Sequence, residues 1–192
     1  MRNNEWIIWS QIKKRSGSYW SSRYTSNAKI VVDSDSQVTI SWTNNGGQDY
    51  DNISILGSTD GVNYSEVATA TPATTSKTLT GLNFVNDYWW KIMYKKDGNY
   101  STKYAVARCW SFTMTCITTG AQTLKLDALD VINSEGIRIN WGDSSGNNYT
   151  GTGSRTHAYS GAATYTVRVI NSLALTKIFL NDAKINNFNS NV

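Results

Sequence analysis

Apolar and polar residues alternate in short runs from Val38 to Tyr94. V-T-I-S-W-T (Val38 to Thr43) puts Val38, Ile40 and Trp42 on one face and Thr39, Ser41 and Thr43 on the other, the period of a half-buried strand. The same reading predicts strands at about 28–32, 37–43, 51–58, 62–69, 75–80, 87–96 and 103–114, with turns at Asp33, Asp35, Asn44 to Gly47 and Asp97 to Asn99. T-D-G is a tight-turn signal in which Gly61 can take positive φ. Leu82 and Tyr88 have the spacing of a tyrosine corner, where the phenol oxygen bonds backbone a few residues upstream. Trp90, Ile92 and Tyr94 alternate with Trp89, Lys91 and Met93, so one of Trp89 and Trp90 must face outward, covered by a following domain or a neighbouring chain.

The pattern changes at T-C-I-T-T-G-A-Q (Thr115 to Gln122), a small polar stretch that predicts a boundary. Beyond it come L-K-L-D-A-L-D (Leu124 to Asp130) and I-R-I-N-W-G-D (Ile137 to Asp143), then a Gly/Ser/Asn-rich loop to Ser154. R-T-H-A-Y (Arg155 to Tyr159) and A-T-Y-T-V-R-V-I (Ala163 to Ile170) follow. Ile137, Ile139 and Trp141 alternate, as do Tyr165, Val167 and Val169, which predicts a second small sandwich. Core positions expected from these patterns are Trp42 and Tyr88 in the first unit, Trp141 and Tyr165 in the second.

S-W-T, S-T-D-G-V-N-Y and T-L-T-G-L followed by Tyr88 resemble a fibronectin type III domain over about ninety residues, Ser26 to roughly Thr115. That resemblance implies a spacer and binding module without a shared active site. I-N-W-G-D-S-S, H-A-Y-S-G and A-T-Y-T-V-R-V resemble a polycystic-kidney-disease-type (PKD-type) domain, with three departures. Trp141 directly precedes Gly142, Ser144 stands where the family has Gly, and Ala163-Thr164 replaces the glycine before Tyr165. The W-G-D form is similar to a variant in proteins of Bacteroidetes bacteria and their phages, which often continue into leucine-rich repeats. L-A-L-T-K-I-F-L-N-D-A-K-I-N-N-F (Leu173 to Phe188) has the cadence of one such repeat. One repeat cannot bury its own face, so residues 173–192 are expected to cap the second sandwich. The fold expected is all-β: an N-terminal arm at 1–25, immunoglobulin-like sandwiches at 26–115 and 118–172, and that cap.

Composition agrees with this class, since Ser, Thr, Asn, Gly and β-branched residues are abundant and Pro72 is the only proline. Charge changes the picture at one place. Arg2, Lys13, Lys14, Arg15 and Arg23 against Glu5 put the whole formal charge of +4 into residues 1–24. The same segment holds E-W-I-I-W-S-Q-I and S-Y-W-S-S-R-Y, more large apolar groups than a free tail tolerates without sticking. Two readings stay open, a solvated tail and an arm docking on an acidic partner surface. For the docking reading the partner-binding residues are Trp6, Trp9, Ile12, Lys13, Lys14, Arg15, Tyr19, Trp20 and Arg23. The arm lacks the order of a signal peptide, because its positive residues follow the apolar run. No nucleic-acid module is recognisable, and no stretch approaches the about 20 apolar residues of a membrane span.

Candidate chemistry is thin. His157 is the single histidine, and its place in H-A-Y beside the W-G-D turn implies a structural role. Asp143 is expected to bond backbone in its own turn. Asp127, Asp130, Glu135 and Asp143 could pair as glycosidase carboxylates, but they fall in turns with no reason to line a cleft. D-S-D-S (Asp33 to Ser36) and G-D-S-S-G-N-N (Gly142 to Asn148) are rich in oxygen without the spacing of a calcium loop. Cys109 and Cys116 would face opposite ways on one strand, and two cysteines with one histidine make no convincing zinc site. No catalysis, metal or cofactor is therefore expected.

Y-W-S-S-R-Y (Tyr19 to Tyr24) is similar to openings of Bacteroidetes phage and prophage structural proteins. The resemblance implies a virion protein on capsid or tail, folded in the cytoplasm and released by lysis, displaying its modules for surface attachment. Its expected partners are other virion proteins, with host-surface or mucus glycans and further copies of the chain left open. Two alternatives remain at this stage, a bacterial cell-surface or secreted adhesion module and a carbohydrate-binding piece of a glycan-degrading enzyme.

Overall fold

The alternation of β-branched, aromatic and hydroxyl residues can bury one face of each segment only by stacking two sheets, and that is the architecture found. The computed structural model describes residues 23–46, 49–131, 135–179 and 182–190. Among them every regular element is a strand apart from a 3-10 turn at Ser172–Ala174.

In the first sandwich, β1 (Tyr24–Ser34), β2 (Gln37–Asn45) and β5 (Ser76–Leu79) form a sheet in the order β1-β2-β5. It faces a sheet of β3 (Asn52–Ser58), β4 (Ser65–Ala70), β6 (Tyr88–Lys96), β7 (Asn99–Tyr100) and β8 (Ala105–Cys109). There β4-β3-β6 run side by side, and both β7 and β8 pair the far edge of β6. Successive strands change sheets at β2–β3, β4–β5 and β5–β6, the crossing pattern of an immunoglobulin-like sandwich. Ile30, Ile40, Trp42, Ile53, Trp90 and Ile92 fill the core. The tyrosine corner closes as expected: Tyr88 Oη donates to the Asn83 carbonyl at 3.2 Å and accepts from the Asn83 amide at 2.8 Å.

The second sandwich is built from β9 (Ser111–Thr119) through β16, with β10 at Gln122–Val131, β11 at Ile137–Asn140 and β12 at Gly146–Tyr149. Strands β13 (Gly153–Tyr159), β14 (Ala162–Ile170), β15 (Leu175–Phe179) and β16 (Ile185–Ser190) complete it. Sheet β13-β10-β15 faces sheet β12-β11-β14-β9-β16 around Leu124, Leu126, Ile139, Trp141, Val167 and Val169.

Four expectations need correction. The segment expected as one strand at 103–114 is two, and the boundary lies at Trp110 rather than near 115–118. Ala105, Ala107 and Cys109 point into the first core, whereas Phe112, Met114 and Cys116 point into the second. The buried positions slip by one residue as the chain changes sandwich. The segment expected as a cap instead carries a pair of edge strands, β15 on β10 and β16 on β9, which extend both sheets. An open strand edge presents unpaired backbone groups, and the C-terminal segment satisfies two of them. Part of the Gly/Ser/Asn-rich loop is β12, an edge strand on β11. Tyr88 and Tyr165 are half-buried at the margins of their cores rather than inside them, with Tyr88 stacked on Trp90 and Tyr165 on Tyr159.

The junction is short and tied on several sides. Ser111 Oγ donates to the Phe84 carbonyl at 2.6 Å, and its amide donates to Asp87 Oδ1 at 3.0 Å. Arg138 on β11 reaches Asp35 in the β1–β2 turn through Nε at 2.6 Å and through a terminal nitrogen at 3.3 Å. Asn148 on β12 accepts from Arg138 at 3.1 Å and donates to the Val32 carbonyl at 2.9 Å. Ile170, at the end of β14, is buried in the core cluster of the first sandwich.

Candidate functional site

Strand β1 runs the length of the first sandwich. Tyr24 pairs Asn45 at one pole and Ser34 pairs Gln37 at the other. The second sandwich grips the Ser34 pole through Asp35, so residue 23, where the arm would join, lies at the opposite pole. There Arg23 is buried, and its guanidinium donates to the Asp49 carbonyl at 3.1 Å and lies 3.6 Å from the Asp49 carboxylate. Lys96 contacts the same carboxylate at 2.7 Å and holds it below the usual carboxylate range. Arg23, expected among the partner-binding residues, is placed with its charge at the pole of the sandwich beside Asp49, because a guanidinium withdrawn from water needs its counter-charge within the fold. Trp6, Trp9, Ile12, Lys13, Lys14, Arg15, Tyr19 and Trp20 lie outside the described residues.

The outer face of the β3-β6-β8 sheet carries the residues that alternate with the core. Lys91 Nζ sits 3.8 Å from the Tyr64 ring centroid and 5.3 Å from that of Tyr104. Lys95 lies 3.1 Å from Glu66 and 5.1 Å from the Tyr100 ring. Hydrogen bonds from Ser54 and Lys95 keep the Glu66 carboxyl below its ordinary range, and Glu66 in turn raises the Lys95 ammonium. Trp89 is the outward member of the tryptophan pair. It is covered by its own chain: the S-T-D-G turn lies against its ring, where a Cβ on Gly61 would approach to 3.3 Å. Trp110 meets it edge-on at 6.4 Å. The alternation of Trp89, Lys91, Met93 and Lys95 marks this face in the sequence. The tyrosines that embrace Lys91 come from the loops just before β4 and β8 and follow no local spacing.

In the second sandwich His157 Nε2 lies 2.7 Å from Asp143 Oδ2, and its ring stacks on Trp141 at 4.9 Å. Ser145 donates to the same carboxylate through its amide, at 3.1 Å, and through its hydroxyl. Burial pushes the Asp143 carboxyl up, but the Ser145 and His157 bonds outweigh it and leave it below the usual range. The serine hydroxyl points at the carboxylate and not at the imidazole, so these three groups brace the W-G-D turn. Gly142 has φ +85, and a Cβ there would come within 2.7 Å of the Thr166 carbonyl oxygen on β14. Ser144, where glycine was expected, takes φ 71 in the left-handed region.

Most of the other candidate groups are engaged one by one, and Glu135 lies in the short segment before β11. Asp35 holds Arg138, and Asp33 accepts from Thr39 at 2.8 Å. Asp127 pairs Lys125 at 2.7 Å, and Asp130 accepts from Thr152 at 2.8 Å. Cys109 and Cys116 are free thiols in separate cores, and burial pushes Cys109 up to about 12.

No family model matches the chain, and no curated protein matches it. Solved structures do. One similar chain is described as an Fn3-like protein from Clostridium thermocellum. It is 20% identical, with 43% of this chain and 86% of that chain covered, at a TM-score of 0.35. The immunoglobulin-like assignment rests on the strand order and the tyrosine corner.

Proposed function

We propose that the chain is a non-enzymatic virion structural protein, carried on a capsid or tail, that displays two immunoglobulin-like modules for surface attachment. The observation that carries this reading is polarity: residue 23 lies at one pole of the first sandwich and the second sandwich is fixed to the other. A segment docked at the first pole holds both modules outward. Residues 1–22 supply that segment, with Trp6, Trp9, Tyr19 and Trp20 as desolvating anchors and Lys13, Lys14 and Arg15 for orientation against an acidic surface. The virion setting rests on the resemblance of Y-W-S-S-R-Y and W-G-D to phage structural proteins. The non-enzymatic reading is supported by the engagement of His157, which is held by Asp143 and stacked on Trp141. A bacterial surface adhesin is the second reading, favoured by the aromatic outer face around Lys91.

The test is incorporation. A chain lacking residues 1–22 should keep its far-UV spectrum and its unfolding transition but fail to join assembled particles. Wild-type occupancy by the truncated chain would move attachment to the sandwich faces and sink the docking role.

A further inference from the structure

The two sheets of the first sandwich part along the edge strands β4 and β5, where a cleft of about 340 Å³ opens. Small-molecule pockets begin near this size, at roughly 300 Å³. The inner walls are apolar: half-buried Tyr88 and exposed Val67 supply the open surface, while Trp90, on which Tyr88 stacks at 5.4 Å, and Leu79 lie buried beneath them. Half of Val67 is open to solvent, at 51%.

The rim has a different chemistry. Thr59, Ser65 and Thr80 line the mouth, and among the described residues their hydroxyls bond no protein group. Asn63 gives its amide nitrogen to Asp60 at 2.7 Å, which turns its carbonyl oxygen free as an acceptor. Asp60 fixes this side of the rim in advance, because it also accepts from the amides of Val62 and Asn63 at 2.8 Å each. No charged side chain lines the cleft.

We propose that this cleft binds a neutral pyranose unit of a glycan. A pyranose has an apolar C–H face for the Tyr88 and Val67 wall and a belt of hydroxyls for Thr59, Asn63, Ser65 and Thr80. An acidic sugar would leave water without meeting a counter-charge, which costs more than a neutral ring loses. An alkyl chain would fill the floor but strip water from four rim groups and return no hydrogen bonds. The Asn63 side of the rim is pre-ordered by Asp60, so less conformational freedom is lost there on binding. The inference deepens the attachment reading by naming what the displayed module holds, and it rests on that reading only for its biological setting.

The experiment titrates the full chain with methyl glycosides of glucose, galactose, mannose and N-acetylglucosamine, with glucuronate as the charged comparison, read by amide chemical shifts. At least one neutral glycoside should give saturable shifts confined to residues 57–67 and 79–90, and glucuronate should give none. Val67→Trp fills the cleft and should abolish the shifts. Ser65→Ala with Thr80→Val keeps the volume but removes two hydroxyls, and should weaken binding about tenfold. It decides the matter if the tryptophan variant does not fold. Absence of saturable shifts with every neutral glycoside, binding untouched by the two-site variant, or stronger binding of glucuronate would each overturn the site. Particle incorporation by the two-site variant should stay at wild type, so failure of the sugar site and failure of the arm are read separately.

Discussion

At the scale of single residues, both sandwiches solve the same problem in the same way. A core tryptophan brings a polar N–H into an apolar layer, and each finds an asparagine: Trp42 donates to Asn44 at 2.9 Å and Trp141 to Asn147 at 3.0 Å. Such a side chain carries both packing and a hydrogen bond, so Trp42→Ala should cost about 3–5 kcal/mol by urea denaturation. Ser144 shows the opposite situation, a side chain in backbone space that suits glycine. Left-handed backbone costs an ordinary residue roughly 1–2 kcal/mol, partly offset by the flexibility glycine adds to the unfolded chain. Ser144→Gly should therefore raise the unfolding midpoint of the second sandwich, and a lowered midpoint would mean that its side chain stabilises the turn by another route. Gly142→Ala should do the reverse and more severely, since its Cβ would press on the β14 backbone.

At the scale of elements, the informative event is the passage through Trp110. Strands β8 and β9 read as one alternating run, yet Cys109 closes one core and Phe112 opens the next. The joint they form is held from the side by Arg138 and Asp35, a partly buried pair with two contacts. Removing one partner leaves the other charge without its mate near the protein interior. Arg138→Ala should leave both sandwiches folded but widen the distribution of angles between them, measured by residual dipolar couplings on each. An unchanged alignment would place the rigidity in Ser111, Ile170 and the Asn148 bond to the Val32 carbonyl.

At the scale of the whole molecule, acid should act on both sandwiches. Asp49 and Glu66 in the first and Asp127 and Asp143 in the second all have carboxyls held below their ordinary range. A depressed folded-state pKa gives stability that is present above the unfolded value, near pH 4, and is lost as pH falls through the folded one. The urea midpoint should thus be flat near neutral pH and decline below about pH 4. Asp143→Asn should flatten the part of that decline that belongs to the second sandwich. A midpoint that rose on acidification would contradict the assigned bonds.

Much of this architecture is local and therefore legible in the sequence. Period-2 runs locate β2, β6, β11 and β14, because each strand's own residues decide which face is buried. Leu82 and Tyr88 foretell the corner, because the bond it makes spans five residues. What sequence could not decide depends on partners far along the chain. Residues 173–192 read as a repeat, since nothing in their own spacing says that β15 and β16 separate to the edges of two sheets. Asp35 and Arg138 are more than a hundred residues apart, and only the packed junction pairs them. The cleft under Thr80 likewise exists because β4 and β5 belong to different sheets and part there, so its hydroxyl rim and apolar floor are a product of tertiary structure alone.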